Sequence, residues 1–224
     1  MSSDYLYSFL FTYLPYLAGG IFLAAVFYRI ARSGNTVQAF STQFLSNDWM
    51  LKWGSNLFHF GIVMVFLGHI FGLLAPEWSY DWLITNEQKR LLAIIMGSAF
   101  GIVTLVGIIL LTVRRFTNPL LRYNSHFADY FFVTLILLQV VTGMLGTCST
   151  IQHDLQHYMN LDRWAQGLFI FLPDSWKYLT AASLVHQIHI LMGFLIVIIF
   201  PFTKFMHMVA IPIRYLLSYF IRKK

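Results

Sequence analysis

Apolar residues run along this chain in five blocks, separated by shorter stretches of polar and charged residues. A helix needs roughly 20 apolar residues to cross the hydrocarbon core of a bilayer. The blocks lie at about residues 7–27, 55–74, 91–113, 129–146 and 181–209, and each is long enough or nearly so. Their ends carry stop signals. Arg29 follows the first, Pro76 the second, and Arg114 with Arg115 the third, while Pro201 stands inside the fifth and Pro212 beyond it. Pro15, Gly19 and Gly20 fall inside the first block, where a membrane helix tolerates them. The longest connection, residues 149–180, has a helix-like start and a mixed face over 159–171, which predicts a short helix lying at the interface. The pattern predicts an all-α fold, an integral membrane five-helix bundle forming a single domain over residues 1–224.

Composition sharpens the setting. Of 224 residues, 58% are hydrophobic and only 11% are charged, against roughly a quarter charged in a soluble domain. Such a chain cannot clothe a water-facing surface, so lipid is its expected surroundings. The net charge of +6 would hint at nucleic acid in a soluble protein. Here the basic residues sit between apolar blocks and set orientation instead, so no nucleic-acid partner is expected. Arg29, Arg32, Lys52, Arg114, Arg115 and Arg122 fall on the same side as the basic C-terminal end. The other side holds Lys89, Arg90, Arg163 and Lys177 among seven acids. The positive-inside rule then puts the N-terminus outside and the C-terminus in the cytoplasm. The lone cysteine, Cys148, excludes an internal disulfide and a cysteine-ligated iron–sulfur cluster. Residues 1–6 lack a basic n-region and a small-residue cleavage site, so no secretory signal is expected.

The candidate chemistry lies in the histidines. An ionisable side chain in a membrane span is expensive to keep there and marks a functional site. His59 and His69 stand in the second block, and His186, His189 and His207 in the fifth. With the two helices antiparallel, depth pairs His69 with His189 and His59 with His207. Neutral imidazole is a strong iron ligand, and two bis-histidine b haems would use all four. The separations differ, a rise of roughly 15 Å between His59 and His69 and roughly 27 Å between His189 and His207. A kink at Pro201 is one way to absorb the difference. His186 near the outer interface is expected to hydrogen-bond a neighbouring helix, and His126, His153 and His157 to be solvated loop residues. Gly61, Gly68, Gly72 and Gly193 admit either a flat macrocycle or a neighbouring backbone. Gln139, mid-depth in the fourth block, needs a partner, either another helix or a haem edge. Lys89 and Arg90 open the third block at the depth of His69. Either can serve a haem propionate or a quinone carbonyl, although the commoner use of such a cation is as a snorkelling anchor.

The segment 55–78 carries Asn-Leu-Phe-His at 56–59, Gly-His at 68–69 and Phe-Gly-Leu-Leu-Ala-Pro at 71–76. With Pro-Tyr-Leu-Ala-Gly at 15–19, Trp-Ala-Gln at 164–166 and Phe-Pro-Phe-Thr-Lys-Phe-Met-His at 200–207, it resembles the gamma subunit of membrane-bound respiratory nitrate reductase over nearly the whole chain. That resemblance implies a dihaem cytochrome b in a bacterial or archaeal cytoplasmic membrane. It implies oxidation of menaquinol or ubiquinol near the outer face, with electrons passed through the two haems to an iron–sulfur beta subunit. A molybdenum-containing alpha subunit, also on the cytoplasmic side, then reduces nitrate. His69 and His189 would be the distal ligands, His59 and His207 the proximal ones, and Lys89 a quinol-binding catalytic residue. Two positions depart from the family pattern. His186 stands where an apolar residue is expected, and Gln187 where an arginine is expected; Lys89, Arg90 or Arg163 are the expected substitutes for that arginine at a propionate. The same fold would serve other quinone-linked complexes, such as nitrite-oxidising, sulfur or heterodisulfide-reductase-like assemblies. A membrane anchor without haem is the third reading.

Overall fold

A computed structural model describes residues 2–33 and 48–203. Every long element among them is helical. The first span begins as α1 (Ser2–Ser8), passes through a π-helical turn at Phe9–Tyr13 and continues as α2 (Leu14–Ser33). There follow α3 (Trp49–Leu73), α4 (Asn86–Thr117), the short α5 (Pro119–Asn124), α6 (Phe127–Gln152), α7 (Leu155–Phe169) and α8 (Leu184–Ile199). Five stretches are long and apolar enough to cross a membrane: Asp4–Arg32, Trp49–Leu73, Asn86–Thr117, Phe127–Gln152 and Leu184–Phe202.

Most of these helices outrun the apolar blocks because caps, not hydrophobicity, end a helix. Asp48 starts α3 by accepting from Leu51 N. Thr85 and Gln88 form a reciprocal capping box at the head of α4. Asp154 starts α7 by accepting from His157 N. The fifth span departs from a single helix over 181–209. Its α-helix begins at Leu184 and stops at Ile199, and Phe200–Phe202 form a 3-10 turn around Pro201. Proline has no N–H to continue the ladder. Arg29 instead donates to the carbonyls of Pro201 and Thr203, tying the end of α2 to the break. The remainder of that predicted span, with His207, lies outside the described residues.

The same logic acts in the first span. Pro15 cannot return a hydrogen bond to the turn before it, and the Phe11 carbonyl in that turn accepts from Trp164 Nε1 at 2.9 Å. The Trp164 side chain thus reaches from α7 into a backbone irregularity on α1–α2.

Lipid tails are as apolar as the helices, so close packing has to hold the spans together. The tightest crossing joins α3 and α4 and is built reciprocally. A Cβ on Gly61 would stand 2.8 Å from Thr104 N, and one on Gly107 would stand 2.4 Å from Phe58 N. Neither position has room for a side chain. Phe58, Ile108 and Val133 bury themselves beside this crossing. From α4 the packing continues to α6, from α6 to α8 and from α8 to α2, which leaves α3 and α8 to face each other across the bundle. The outer rings of the helices stay uncovered, with Phe27, Phe66 and Phe71 each about two-thirds exposed, as a lipid-facing surface should be.

Within the connection 149–180 the expected short helix forms as α7, and its inner face packs on the bundle. Tyr158, Met159, Leu161, Trp164 and Ala165 are buried, with Leu161, Trp164 and Ala165 packed on Phe11 and Leu179.

Candidate functional site

α3 and α8 meet through two imidazoles. The rings of His69 and His189 stand 6.2 Å apart, centre to centre, with planes 28° from parallel. Nδ1 of His69 donates to the Val65 carbonyl at 2.8 Å, and Nδ1 of His189 donates to the Gln139 carbonyl at 3.1 Å. A carbonyl only accepts, so these bonds put the proton on Nδ1 and leave a lone pair on Nε2. That is the tautomer of a metal-bound histidine, whose second nitrogen is held by a carbonyl or carboxylate. Gln139 Nε2 donates to the His189 carbonyl at 3.1 Å, tying α6 to α8, and lies 3.3 Å from His189 Nε2, whose lone pair accepts from it in this structure. Thr142 Oγ1 lies 3.1 Å from Nδ1. Gln139, left between two partners by its sequence, therefore pairs with another helix.

Two imidazoles that ligate one iron from opposite sides, through nitrogen–metal bonds of roughly 2 Å each, have ring centres on the order of 6 Å apart. The observed spacing fits a bis-histidine haem. Among the described residues no group of three or more His, Cys, Asp or Glu side chains is placed to hold a bare metal ion. Two facing neutral imidazoles suit an iron that brings its own equatorial ligands.

His59 lies ten residues before His69 on the same helix, and its Nδ1 donates to the Ser55 carbonyl at 2.7 Å. It has the same tautomer, and its Nε2 has no partner among the described residues. Its expected partner, His207, lies outside the described residues, so the proximal pair has one described member.

The glycines divide. Gly61 serves the α3–α4 crossing. Gly193 lies against Gln139, where a Cβ would sit 3.5 Å from Nε2. Beside His69, a Cβ on Gly68 or Gly72 would meet nothing within 4 Å, so this face of α3 is uncrowded. On the opposite wall a Cβ on Gly143 would come within 3.0 Å of His189 Cε1; Gly143 gives that ring its room, and the sequence reading missed it.

Lys89 does not snorkel. It is 5% exposed, and its Nζ lies 2.6 Å from Asp162 Oδ2 on α7 and 4.3 Å from the centre of the Tyr80 ring. Nζ also approaches the Ala75 carbonyl, at 3.5 Å, just past the end of the helix that carries His69. Asp162 is the buried partner of Lys89 that sequence reasoning missed; its only signal was a carboxylate one turn before Gln166. Burial raises its pKa to about 6, with the neighbouring Lys89 offsetting only part of the shift. Burial, then Asp162, pushes Tyr80 up to about 12, and the same two causes raise Tyr158.

Of the other expected substitutes, Arg90 serves a helix end and Arg163 borders a cavity, while Gln187 itself bonds backbone carbonyls. Arg90 donates to the Thr150 and His153 carbonyls at the end of α6. Gln187 donates to the Leu179 and Ala182 carbonyls and accepts from Tyr7 Oη. Arg163 borders a cavity of about 450 Å³ with Asp162, Glu77 and Asp81.

Of the histidines expected in solvated loops, His126 and His153 are exposed residues capping the two ends of α6, whereas His157 lies buried in α7. His157 stacks on His153 at 4.4 Å and meets the His186 ring at 5.3 Å. Burial, then His153, lowers the His157 pKa. His186 bonds as a helix-linking residue should, with Nδ1 2.7 Å from Ser183 Oγ and Nε2 3.3 Å from Thr150 Oγ1. The loop reading fails for His157 alone, because α7 folds back over the bundle and buries its first turn.

Comparison with known proteins adds an independent line. The sequence model of the nitrate reductase gamma subunit family matches residues 7–224. The gamma chain of respiratory nitrate reductase 1 of Escherichia coli (strain K12) is 33% identical over 214 residues, covering 95% of each chain. The gamma chain of respiratory nitrate reductase 2 of the same strain is 34% identical over 213 residues, covering 95% of this chain and 94% of the relative. The nitrate reductase gamma chain of Bacillus subtilis (strain 168) is 29% identical over 214 residues, covering 94% and 95%.

Proposed function

The chain belongs to the nitrate reductase gamma subunit family, and on that premise we propose that it is the quinol-oxidising cytochrome b of such a complex. It is a multi-pass membrane subunit of an enzyme that has other subunits. We place it in the cytoplasmic membrane of a bacterium or archaeon, with the N-terminus outside and the C-terminus in the cytoplasm.

The observation that carries the proposal is the facing pair His69 and His189, 6.2 Å apart on opposite helices. Each has its Nδ1 proton tied to a backbone carbonyl. These two residues hold the distal b haem, and His59 and His207 hold the proximal one. When bound, the haems supply the one-electron relay between menaquinol or ubiquinol and an iron–sulfur beta subunit, which serves a molybdenum-containing alpha subunit on the cytoplasmic side.

The chain's own residues do the rest. The backbone carbonyls of Gln139 and Val65 fix the orientation and tautomer of the distal ligands. Lys89 is the quinol-binding residue: a buried ammonium at the end of α3 stabilises negative charge on a quinol oxygen as its proton leaves. The aromatic rings of Tyr80 and Tyr158 around Lys89 keep water from that charge.

Reduced-minus-oxidised spectra of the purified complex test this reading. Two low-spin b haems are expected per chain. His69→Ala or His189→Ala should remove one and leave the other, and His59→Ala or His207→Ala should do the converse. Unchanged spectra in all four variants would reduce the chain to an anchor without haem.

A further inference from the structure

Asp162 stands between two environments. Its Oδ2 lies 2.6 Å from the Lys89 ammonium. Its Oδ1 is buried and has no hydrogen-bond partner among the described residues. The residue is 1% exposed, yet it borders the cavity of about 450 Å³ that opens among Glu77, Trp78, Asp81, Met159, Arg163 and Gln166. A carboxylate needed only to neutralise Lys89 would be expected to satisfy both oxygens, since a buried orphan acceptor is costly. This one keeps an oxygen unengaged beside a polar cavity.

The geometry points to Asp162 as the proton acceptor for quinol bound at Lys89, delivering that proton to the cavity at this end of the bundle. The inference rests on the quinol site proposed above. A quinol O–H bond breaks and an O–H bond forms on Asp162, while the electron pair stays on the quinol oxygen. Those electrons leave as quinol becomes quinone, taken up by the haem acceptors of the complex with nitrate as the final oxidant. Once protonated, Asp162 is neutral and no longer balances the Lys89 ammonium. That ammonium is then available to the quinol oxygen as negative charge develops there. Loss of the Asp162 proton to water in the cavity restores the ion pair for the second proton.

The charged and titratable groups around Asp162 agree with this direction of travel. Lys89 faces it from α4, Glu77, Tyr80 and Asp81 from the α3–α4 connection, and Tyr158 and Arg163 from α7 itself. Tyr80 and Tyr158 are raised and stay protonated near neutrality, so Asp162 is the group beside Lys89 that can both accept and release a proton there. Its own value of about 6 suits a base that must also let go.

The test uses the intact complex in its membrane, with the water-soluble quinol menadiol as donor and nitrate as acceptor. Wild type, Asp162→Asn and Asp162→Glu are compared for rate against pH and for haem absorbance after dithionite. The wild-type rate should fall as the medium is acidified through about pH 6, where Asp162 takes up its proton. Asp162→Asn should lose at least about tenfold in kcat at neutral pH and lose this acid limb, with its dithionite spectrum intact. Asp162→Glu should recover much of the rate with the limb displaced. Asp162→Asn with wild-type kcat and limb would overturn the proposal. If Asp162→Asn does not assemble, Asp162→Glu decides alone: a limb at the unchanged pH assigns the proton to another group and overturns it. Wild-type complex whose haem is reduced by dithionite but not by menadiol overturns the quinol reading, and this inference with it.

Discussion

At the residue scale the buried ion pair of Lys89 and Asp162 carries the most consequence. Each side chain is nearly inaccessible, at 6% and 1% exposure. Removing one partner of such a pair leaves an uncompensated charge and costs about 3–5 kcal/mol. Asp162→Ala should therefore lower the melting temperature of the complex far more than a change at the exposed pair Lys177–Asp174, which has 58% and 64% exposure. The pH dependence has a definite sign. Asp162 is raised from 3.8 to about 6, so between those values the folded chain holds a proton that the unfolded chain has released. This group's contribution to stability is present below about pH 4 and is lost as pH rises through about 6. Thermal melts across that window should show a slope in wild type that Asp162→Asn removes, and equal slopes would contradict the assignment.

At the element scale the decisive contact is the crossing of α3 on α4. It sets the position of the helix that carries both His59 and His69. Gly107 abuts the Phe58 backbone, and Phe58 is the residue before His59. An added methyl at position 107 would have to push α3 away, because backbone atoms rather than a flexible side chain stand in its path. Gly107→Ala should cost about 1–3 kcal/mol by overpacking and should perturb the haem proposed at His59. Gly19→Ala and Gly20→Ala, where an added Cβ meets nothing within 4 Å, should leave both melting temperature and spectrum alone. The break at Pro201 belongs to this scale too. A continuous-helix rise from His189 to His207 does not apply, because the α-helix stops at Ile199.

At the scale of the whole molecule, α7 acts as a clamp across one end of the bundle. Trp164 reaches the first span, Gln166 the carbonyls of Leu73 and Ala75 at the end of α3, Asp162 reaches α4, and His157 reaches α8. Several of these bonds satisfy backbone groups that a proline or a helix end had left over. The clamp thus holds the first span and α3 by leftover backbone carbonyls and α4 and α8 through their side chains. The proposed orientation puts it outside. In a Cys148→Ser background, Trp82→Cys should react with a membrane-impermeant maleimide applied to intact cells, and Tyr123→Cys should not. Both side chains are well exposed, at 77% and 91%, so the reverse pattern would invert the topology.

Sequence by itself determined the helical class, the number of spans and the place of His59, His69, His186 and His189 on them. Those follow from transfer free energies and from period and length, which are properties of contiguous residues. It also carried the family, through runs such as 56–59 and 200–207. Tertiary structure alone decided that Lys89 is buried against Asp162, that Gly107 rather than Gly68 meets another backbone, and that His157 leaves solvent to meet His186. Lys89 and Asp162 are 73 positions apart, and nothing in either neighbourhood favours the other. Their pairing exists because α7 turns back onto the end of α4. That turn is set by the sum of many weak contacts, so no local pattern records it.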